Sequence, residues 1–248
     1  MSIALLFPPG FKPVIKHGDH DQSSHGNWAT GNFDENNERE AAQNTYFDRY
    51  GFDKDGKPTG ITVDEIDSVA FYIGEGYKYV NGPLRGTGNN PTNPGDEKKM
   101  SGIVQNLDKA IEESPDIFGD KNLYRVFSDK VLSTLEPGDV VTDRGYLSTT
   151  RIDITQDSDA RNNLGNINET RDTVAIILPS ESGTGKGLSV DMFANAVSGV
   201  KGTASFSSAQ ADTEKEVLLP RSTPLKFIGY KTDVGNEARV AVFQRMDK

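Results

Sequence analysis

The 248-residue sequence contains no cysteine, which excludes disulfide frameworks, cysteine-ligated zinc and thiol nucleophiles together. Histidine is nearly as scarce, since its three copies, His17, His20 and His25, fall within nine residues of one polar segment. Acid–base chemistry elsewhere therefore falls to carboxylates, lysine or tyrosine. Long apolar runs are missing too. The opening run Ile3 to Phe7 is too short for a signal-peptide core or a membrane span, so neither secretion by a signal peptide nor a membrane partner is expected. Positive charge is in deficit, 27 Lys and Arg against 37 Asp and Glu, a net charge of -10. That balance argues against a phosphate grip over the general surface and favours basic partners, while leaving a local basic groove open.

What is present divides the chain in two. From His17 to Asn44 it is rich in Asn, Asp, Gly and Ser and nearly without aliphatic side chains, so it buries too little to offset the entropy of ordering. Residues 1–56 read as a disordered leader and residues 57–248 as the folded domain. The three histidines could share a metal ion, but a flexible segment without supporting partners reads as a solvated tether, and no metal is predicted.

Within the domain, Thr62 and Glu65 form a capping-box pattern, and Ile66, Val69, Ala70, Ile73, Tyr77 and Val80 recur at helical spacing. A helix is predicted from Val63 to Val80, stopped by Gly82-Pro83. The run from Gly86 to Glu97 reads as a loop. Met100, Ile103, Val104, Leu107 and Ile111 form a second amphipathic stripe, ending before Ser114-Pro115. Beyond it, short apolar runs predict strands at Leu123–Phe127, Val140–Thr142, Tyr146–Thr149, Thr173–Leu178, Val217–Leu219, Leu225–Tyr230 and Val240–Gln244. Helices followed by many strands indicate an α+β domain.

Three near-motifs fail on their fixed positions. Gly86-Thr-Gly-Asn-Asn90 follows a helix and runs into Pro91, so it is no dinucleotide fingerprint. Gly183-Thr-Gly-Lys186 lacks both ends of a phosphate loop, with Ser180 and Gly187 where Gly and Ser or Thr belong. Asp53-Lys-Asp-Gly56 lacks the bidentate carboxylate of a calcium loop, because the twelfth position is Thr62.

With histidine absent, attention falls on Glu214-Lys215-Glu216, which leads into Val217-Leu218-Leu219. On a strand, residues two apart share a face, so both carboxylates would project together, either as a solvated strand face or as a pair that divides chemical labour. Arg125, inside the apolar strand Leu123–Phe127, is either an edge charge or an inward anion ligand whose fork suits a diphosphate. Ser148, Thr149 and Thr150 set three hydroxyls in succession at a strand end, able to bond backbone or orient a carboxylate.

Taken in order, the Arg in an aromatic strand, the Ser-Thr-Thr and the Glu-x-Glu before an aliphatic strand resemble the signature of ADP-ribosyltransferase toxins. The segment Tyr77 to Gly86 resembles the helix-to-loop stretch before the core strands in the clostridial branch, and the likeness spans roughly residues 62–246. The resemblance implies an α+β split β-sandwich with N-terminal helices. It also implies NAD⁺ as substrate, with ADP-ribose transferred to arginine of a host protein and nicotinamide released. Arg125 would then hold the NAD⁺ diphosphate with Arg85 as a second phosphate contact. Ser148 would orient Glu216, with Thr149 and Thr150 supporting the pocket. Glu216 would bond the nicotinamide ribose and stabilise the oxocarbenium-like transition state. Glu214 would choose the acceptor, since family members with Glu there modify arginine and those with Gln modify other groups. Gly202 to Thr213 would form the acceptor loop, with Phe206 its aromatic. A nucleic-acid acceptor stays open, as do NAD⁺ glycohydrolysis and a non-catalytic virion role. The leader segment Lys16 to Gly26 resembles stretches of tailed-phage head proteins, which implies a capsid association and action in the host cytoplasm.

Overall fold

The computed structural model describes residues 14–16, 31–53, 55–87, 94–155, 172–198, 215–232 and 239–247. Helices α1 (Arg39–Tyr50), α2 (Val63–Phe71), α3 (Tyr77–Arg85) and α4 (Pro94–Glu112) come first, apart from a short strand β1 (Val14–Lys16). Strand β2 (Leu123–Ser128) leads into a single helical turn α5 (Asp129–Leu132), then β3 (Val140–Thr142), β4 (Leu147–Thr150) and β5 (Asp172–Leu178). Strand β6 (Leu188–Ser189) passes directly into α6 (Val190–Ala196), and β7 (Glu216–Leu219), β8 (Pro224–Thr232) and β9 (Arg239–Arg245) follow. No helix among the described residues is long and apolar enough to cross a membrane.

The strands lie in the order β1-β3-β8-β9-β5-β2-β4-β7-β6, with β5 and β9 parallel and the other described pairs antiparallel. The sheet nearly parts between β2 and β4, which are registered only at Tyr124–Thr150. Strands β9, β5 and β2 form its buried centre. Leu123, Phe127, Ala175, Ile177, Ala241 and Phe243 face the main core under the helices. Their alternating neighbours Tyr124, Val126, Val174, Ile176, Val240 and Val242 form a second cluster on the reverse face. Burial on both faces explains the continuous apolar runs of these strands.

The predicted strands are present, with ends shifted by one or two residues. Four expectations fail for physical reasons. The leader does not extend to residue 56, because α1 packs Tyr46 and Tyr50 into the core at 0% exposure. Counting aliphatics missed it, since its anchors are tyrosines whose hydroxyls are bonded: that of Tyr46 accepts from the Ser189 N–H at 2.7 Å, and that of Tyr50 donates to the Ala110 carbonyl at 3.2 Å. The continuous helix from Val63 to Val80 is broken by a π-helical turn, Tyr72–Gly76, in which Gly74 leaves helical geometry at ψ -124°. Gly82-Pro83 then fails to stop α3. The carbonyl that Pro83 cannot bond belongs to Tyr79, which is 55% exposed and open to water, and the helix ends at left-handed Gly86 instead. The expected loop through Glu97 likewise yields to α4, which begins at Pro94 with Asp96 and Glu97 in its first turn, a favourable start for a helix.

Candidate active site

Glu216 opens β7 and is 3% exposed. It pairs with Thr150 across β4, so Ser148 and Thr150 share its face of the two-stranded unit. The Ser148 hydroxyl donates to Glu216 Oε1, fixing one carboxylate oxygen. Ser148 is held in turn by Arg125, whose Nη1 donates to the Ser148 carbonyl. Arg125 lies opposite Ala175 on β5, and that small neighbour leaves room for a guanidinium in an apolar strand. Burial, with Arg85 nearby, pushes the Arg125 guanidinium down to about 10, so it stays charged at neutral pH. Arg125 is thus buried and no edge charge, and it forms one chain of bonds with Ser148 and Glu216.

Arg85 approaches from the end of α3. Its Nε and Nη2 meet Asp143 at 2.8 and 2.6 Å, a bidentate pair in which both side chains are nearly buried. Asn81, one turn earlier, accepts from the Tyr146 N–H at 2.9 Å and donates to the Tyr72 hydroxyl at 2.8 Å. The charges of Glu216, Arg85 and Arg125 all act on that buried hydroxyl, whose pKa burial raises, so Tyr72 belongs to the same site. Close approach depends on Gly145: a Cβ there would stand 2.6 Å from Asn81 Oδ1 and 3.0 Å from Arg85 Nε. The site is thus a buried carboxylate facing two guanidiniums, with hydroxyl and amide groups between them. Such a set has the chemistry to take an anionic group on its guanidiniums and a positive charge beside its carboxylate.

The model of the ADP-ribosyltransferase exoenzyme family matches residues 28–244. The chain belongs to that family. Its members use NAD⁺ as substrate, and this protein is an NAD⁺-dependent ADP-ribosyltransferase. Similar solved structures include C3stau2 from S. aureus with NAD, at TM-score 0.56 and 17% identity over 88% of this chain and 99% of that one. The Clostridium limosum C3 exoenzyme gives TM-score 0.52 and 17% identity over 86% and 96%. Vis, a Vibrio splendidus toxin solved with agmatine, gives TM-score 0.54 and 14% identity over 87% of each chain. At these identities the likeness is one of fold. No curated protein matches the sequence.

Other predicted residues of the transferase stand as follows. Thr149 is fully buried and donates to the Val217 carbonyl at 2.6 Å, a bond that ties β4 to β7 behind the site. Thr150, also buried, accepts from the Ile152 N–H at 3.2 Å. Glu214 and the acceptor loop with Phe206 lie outside the described residues, as do the three histidines and most of the phage-like segment. The strand face expected to be shared by Glu214 and Glu216 therefore lies partly outside the described residues; of that segment, Lys215 is in a turn with φ 46° and β7 begins at Glu216.

Sequence reasoning missed a buried cluster beside this turn. Arg151, immediately after Thr150, meets both oxygens of Asp191 at 2.8 Å, Ser189 Oγ at 3.0 Å and also Glu35. Its N–H donates to the Lys215 carbonyl at 3.3 Å, and Lys215 Nζ lies 3.5 Å from Asp191. The cluster therefore anchors the residue that precedes Glu216. Burial by itself would raise the Asp191 carboxyl, but Arg151 overcomes it and holds the group at about 2. Asn81 and Asp143 were missed as well. Polar residues that become buried only through tertiary contact leave no periodic signal.

Proposed function

We propose that this transferase moves ADP-ribose from NAD⁺ to arginine side chains of a target protein, with Glu216 as the catalytic carboxylate. The observation that carries the reading is the linked set Arg125, Ser148 and Glu216, in which a buried cation holds the serine that fixes a buried carboxylate. Arg125 suits the NAD⁺ diphosphate. Arg85 has Nη1 left over from its pair with Asp143, suited to a second phosphate contact. Thr149 and Thr150 hold the two strands that carry the site together.

The reaction breaks the bond between the nicotinamide nitrogen and ribose C1′, and nicotinamide leaves neutral with the bonding electron pair. Glu216, held by Ser148, stabilises the positive charge that grows on the ribose and bonds its 2′-hydroxyl. A guanidine nitrogen of the acceptor then attacks C1′ and loses a proton, for which Glu214 is the base and the acceptor-selecting group. Agmatine, the compound bound in the Vis structure, carries a guanidinium and so supports an arginine acceptor.

Incubation with labelled NAD⁺ and agmatine tests the reading. Labelled agmatine is expected with the wild type, none with Glu216→Ala, and released nicotinamide without agmatine transfer with Glu214→Gln. Equal transfer by wild type and Glu216→Ala would refute the catalytic assignment. Nicotinamide release at full rate without any acceptor would identify water as the acceptor and make the enzyme a glycohydrolase.

A further inference from the structure

The loop between β5 and β6, whose Gly183-Thr-Gly-Lys186 fails as a nucleotide phosphate loop, forms one wall of a cavity of 620 Å³. Leu219 and Pro220 also line it, so it lies at the end of β7 opposite Glu216. Its volume is that of a small-molecule site. On its wall stands Arg245, 4% exposed at the end of β9. Nη2 of Arg245 donates to the carbonyls of Phe118, Gly119 and Lys121 at 2.7, 2.9 and 2.8 Å, and Nε to that of Leu178 at 3.4 Å. Nη1 is buried with no hydrogen-bond acceptor. It lies behind Gly185, where a Cβ would stand 3.3 Å away and φ is +156°, so a side chain at that position would press on it.

Lys186, on the same wall, donates to the Ser114 carbonyl at 2.8 Å. Both cations thus have only neutral partners, and among the described residues neither forms an ion pair. Three carboxylates, those of Glu112, Asp116 and Asp247, also line the cavity. Asp116 accepts from the Gly185 N–H at 3.4 Å and Asp247 from the Ser182 hydroxyl, while Glu112 is exposed. Burial pushes the Arg245 guanidinium down to about 10, opposed only through space by Asp116 and Asp120, so it remains charged at neutral pH. Holding a buried charge without a paired counterion is unfavourable, and an entering anion offsets part of that cost. Facing these cations are apolar groups, Leu219, Pro220, Pro224 and Met246.

We propose that this cavity binds a small amphipathic oxyanion, a carboxylate or a phosphate monoester, with its head on Arg245 and Lys186 and its apolar body against Pro220, Pro224 and Met246. The site is separate from the NAD⁺ cleft and does not depend on which acceptor the transferase uses.

Calorimetric titration of the full chain with hexanoate, phenyl phosphate and hexylamine tests it. Hexanoate or phenyl phosphate is expected to bind below about 1 mM, the stronger of the two naming the head group, and hexylamine not at all. Lys186→Met removes one charge at a partly exposed position and should weaken binding about tenfold, and Arg245→Gln should abolish it. Glu216→Ala, at the other end of β7, should leave the affinity unchanged. Since Arg245 also holds four carbonyls, Lys186→Met decides the matter if Arg245→Gln does not fold. No oxyanion binding at about 10 mM, equal binding of hexylamine, unchanged affinity in Lys186→Met, or loss of binding in Glu216→Ala would each overturn the proposal.

Discussion

Replacing Asp191 by Asn would test whether the Arg151 cluster supports the fold beneath the catalytic turn. Arg151 and Asp191 are 0% and 1% exposed at their side chains and meet at 2.8 Å through two parallel bonds. The carboxyl sits at about 2 instead of its ordinary 3.8, a shift worth about 2 kcal/mol of stability at neutral pH at 1.36 kcal/mol per unit. Asn keeps the shape but leaves Arg151 with Glu35, which is 32% exposed, as its remaining carboxylate partner. Breaking a buried pair costs about 3–5 kcal/mol, and the retained Glu35 places this loss near 3 kcal/mol. Urea unfolding at pH 7 should show a midpoint about 1 M lower than wild type.

The pH dependence has a definite sign. A depressed carboxyl stabilises the fold fully above the unfolded value and loses that contribution as pH falls through the folded one. The gap between wild type and Asp191→Asn should therefore hold from pH 7 to about pH 4 and shrink between about pH 4 and pH 2. Arg39 at 3.7 Å and Lys215 at 3.5 Å face the same carboxylate and act in the same direction. With Arg151→Met as the second change, the double variant should lose less than the sum of the singles, because removing both charges leaves neither unpaired. A gap under about 1 kcal/mol at pH 7, or one that widens toward pH 3, would refute the reasoning.

Ser148→Ala should lower kcat for nicotinamide release about 10- to 100-fold with KM within about twofold, since it removes one charged hydrogen bond to Glu216 and no substrate contact. Gly145→Ala drives a methyl to 2.6 Å from Asn81 Oδ1, so thermal unfolding should show a loss of about 1–3 kcal/mol, with a raised KM for NAD⁺ through displacement of Arg85. Thr62→Ala breaks the capping box of α2, where the Thr62 hydroxyl accepts from the Glu65 N–H at 3.3 Å, and should cost about 1 kcal/mol in a melt without changing kcat.

The parts of this fold that were legible in the sequence are those set by local chemistry. The capping box at Thr62 and Glu65 forms as its pattern requires, and β2, β5 and β9 follow their apolar runs because both faces of the sheet centre are buried. What escaped depends on partners far along the chain. Helix α1 is held by tyrosines that bond Ser189 and Ala110, more than 50 residues away, so its own composition looks solvated. Strand β6 and helix α6 bury nearly every side chain and show no amphipathic period. At the site, Arg125 stands out because it breaks the apolar pattern of its strand, whereas Ser148 and Glu216 stand out through the order of the family signature. Asp143, Asn81 and Arg151 sit where polar residues are ordinary, and only their burial distinguishes them.

The place where the sheet parts explains why those three strand residues belong together. A fully paired β2 and β4 would satisfy each other's backbone and leave no cleft between them. Here the ladder contracts to the single pair Tyr124–Thr150, and the next residue along β2 is Arg125. Its guanidinium donates to the Ser148 carbonyl, supplying from a side chain the bond that the departing strand does not provide. A neutral side chain of the same reach could fill that role, but a buried arginine also brings a charge that only an anion can complement fully. The same substitution of side chain for ladder that holds the split open thus places a cation at its floor and turns the Ser148 hydroxyl toward Glu216. It follows that Arg125→Lys, which keeps the charge but not the planar fork, should fail to restore NAD⁺ binding to the wild-type level. An NAD⁺ titration in which lysine matched arginine would show that charge alone, and not the bond to Ser148, is what this position supplies.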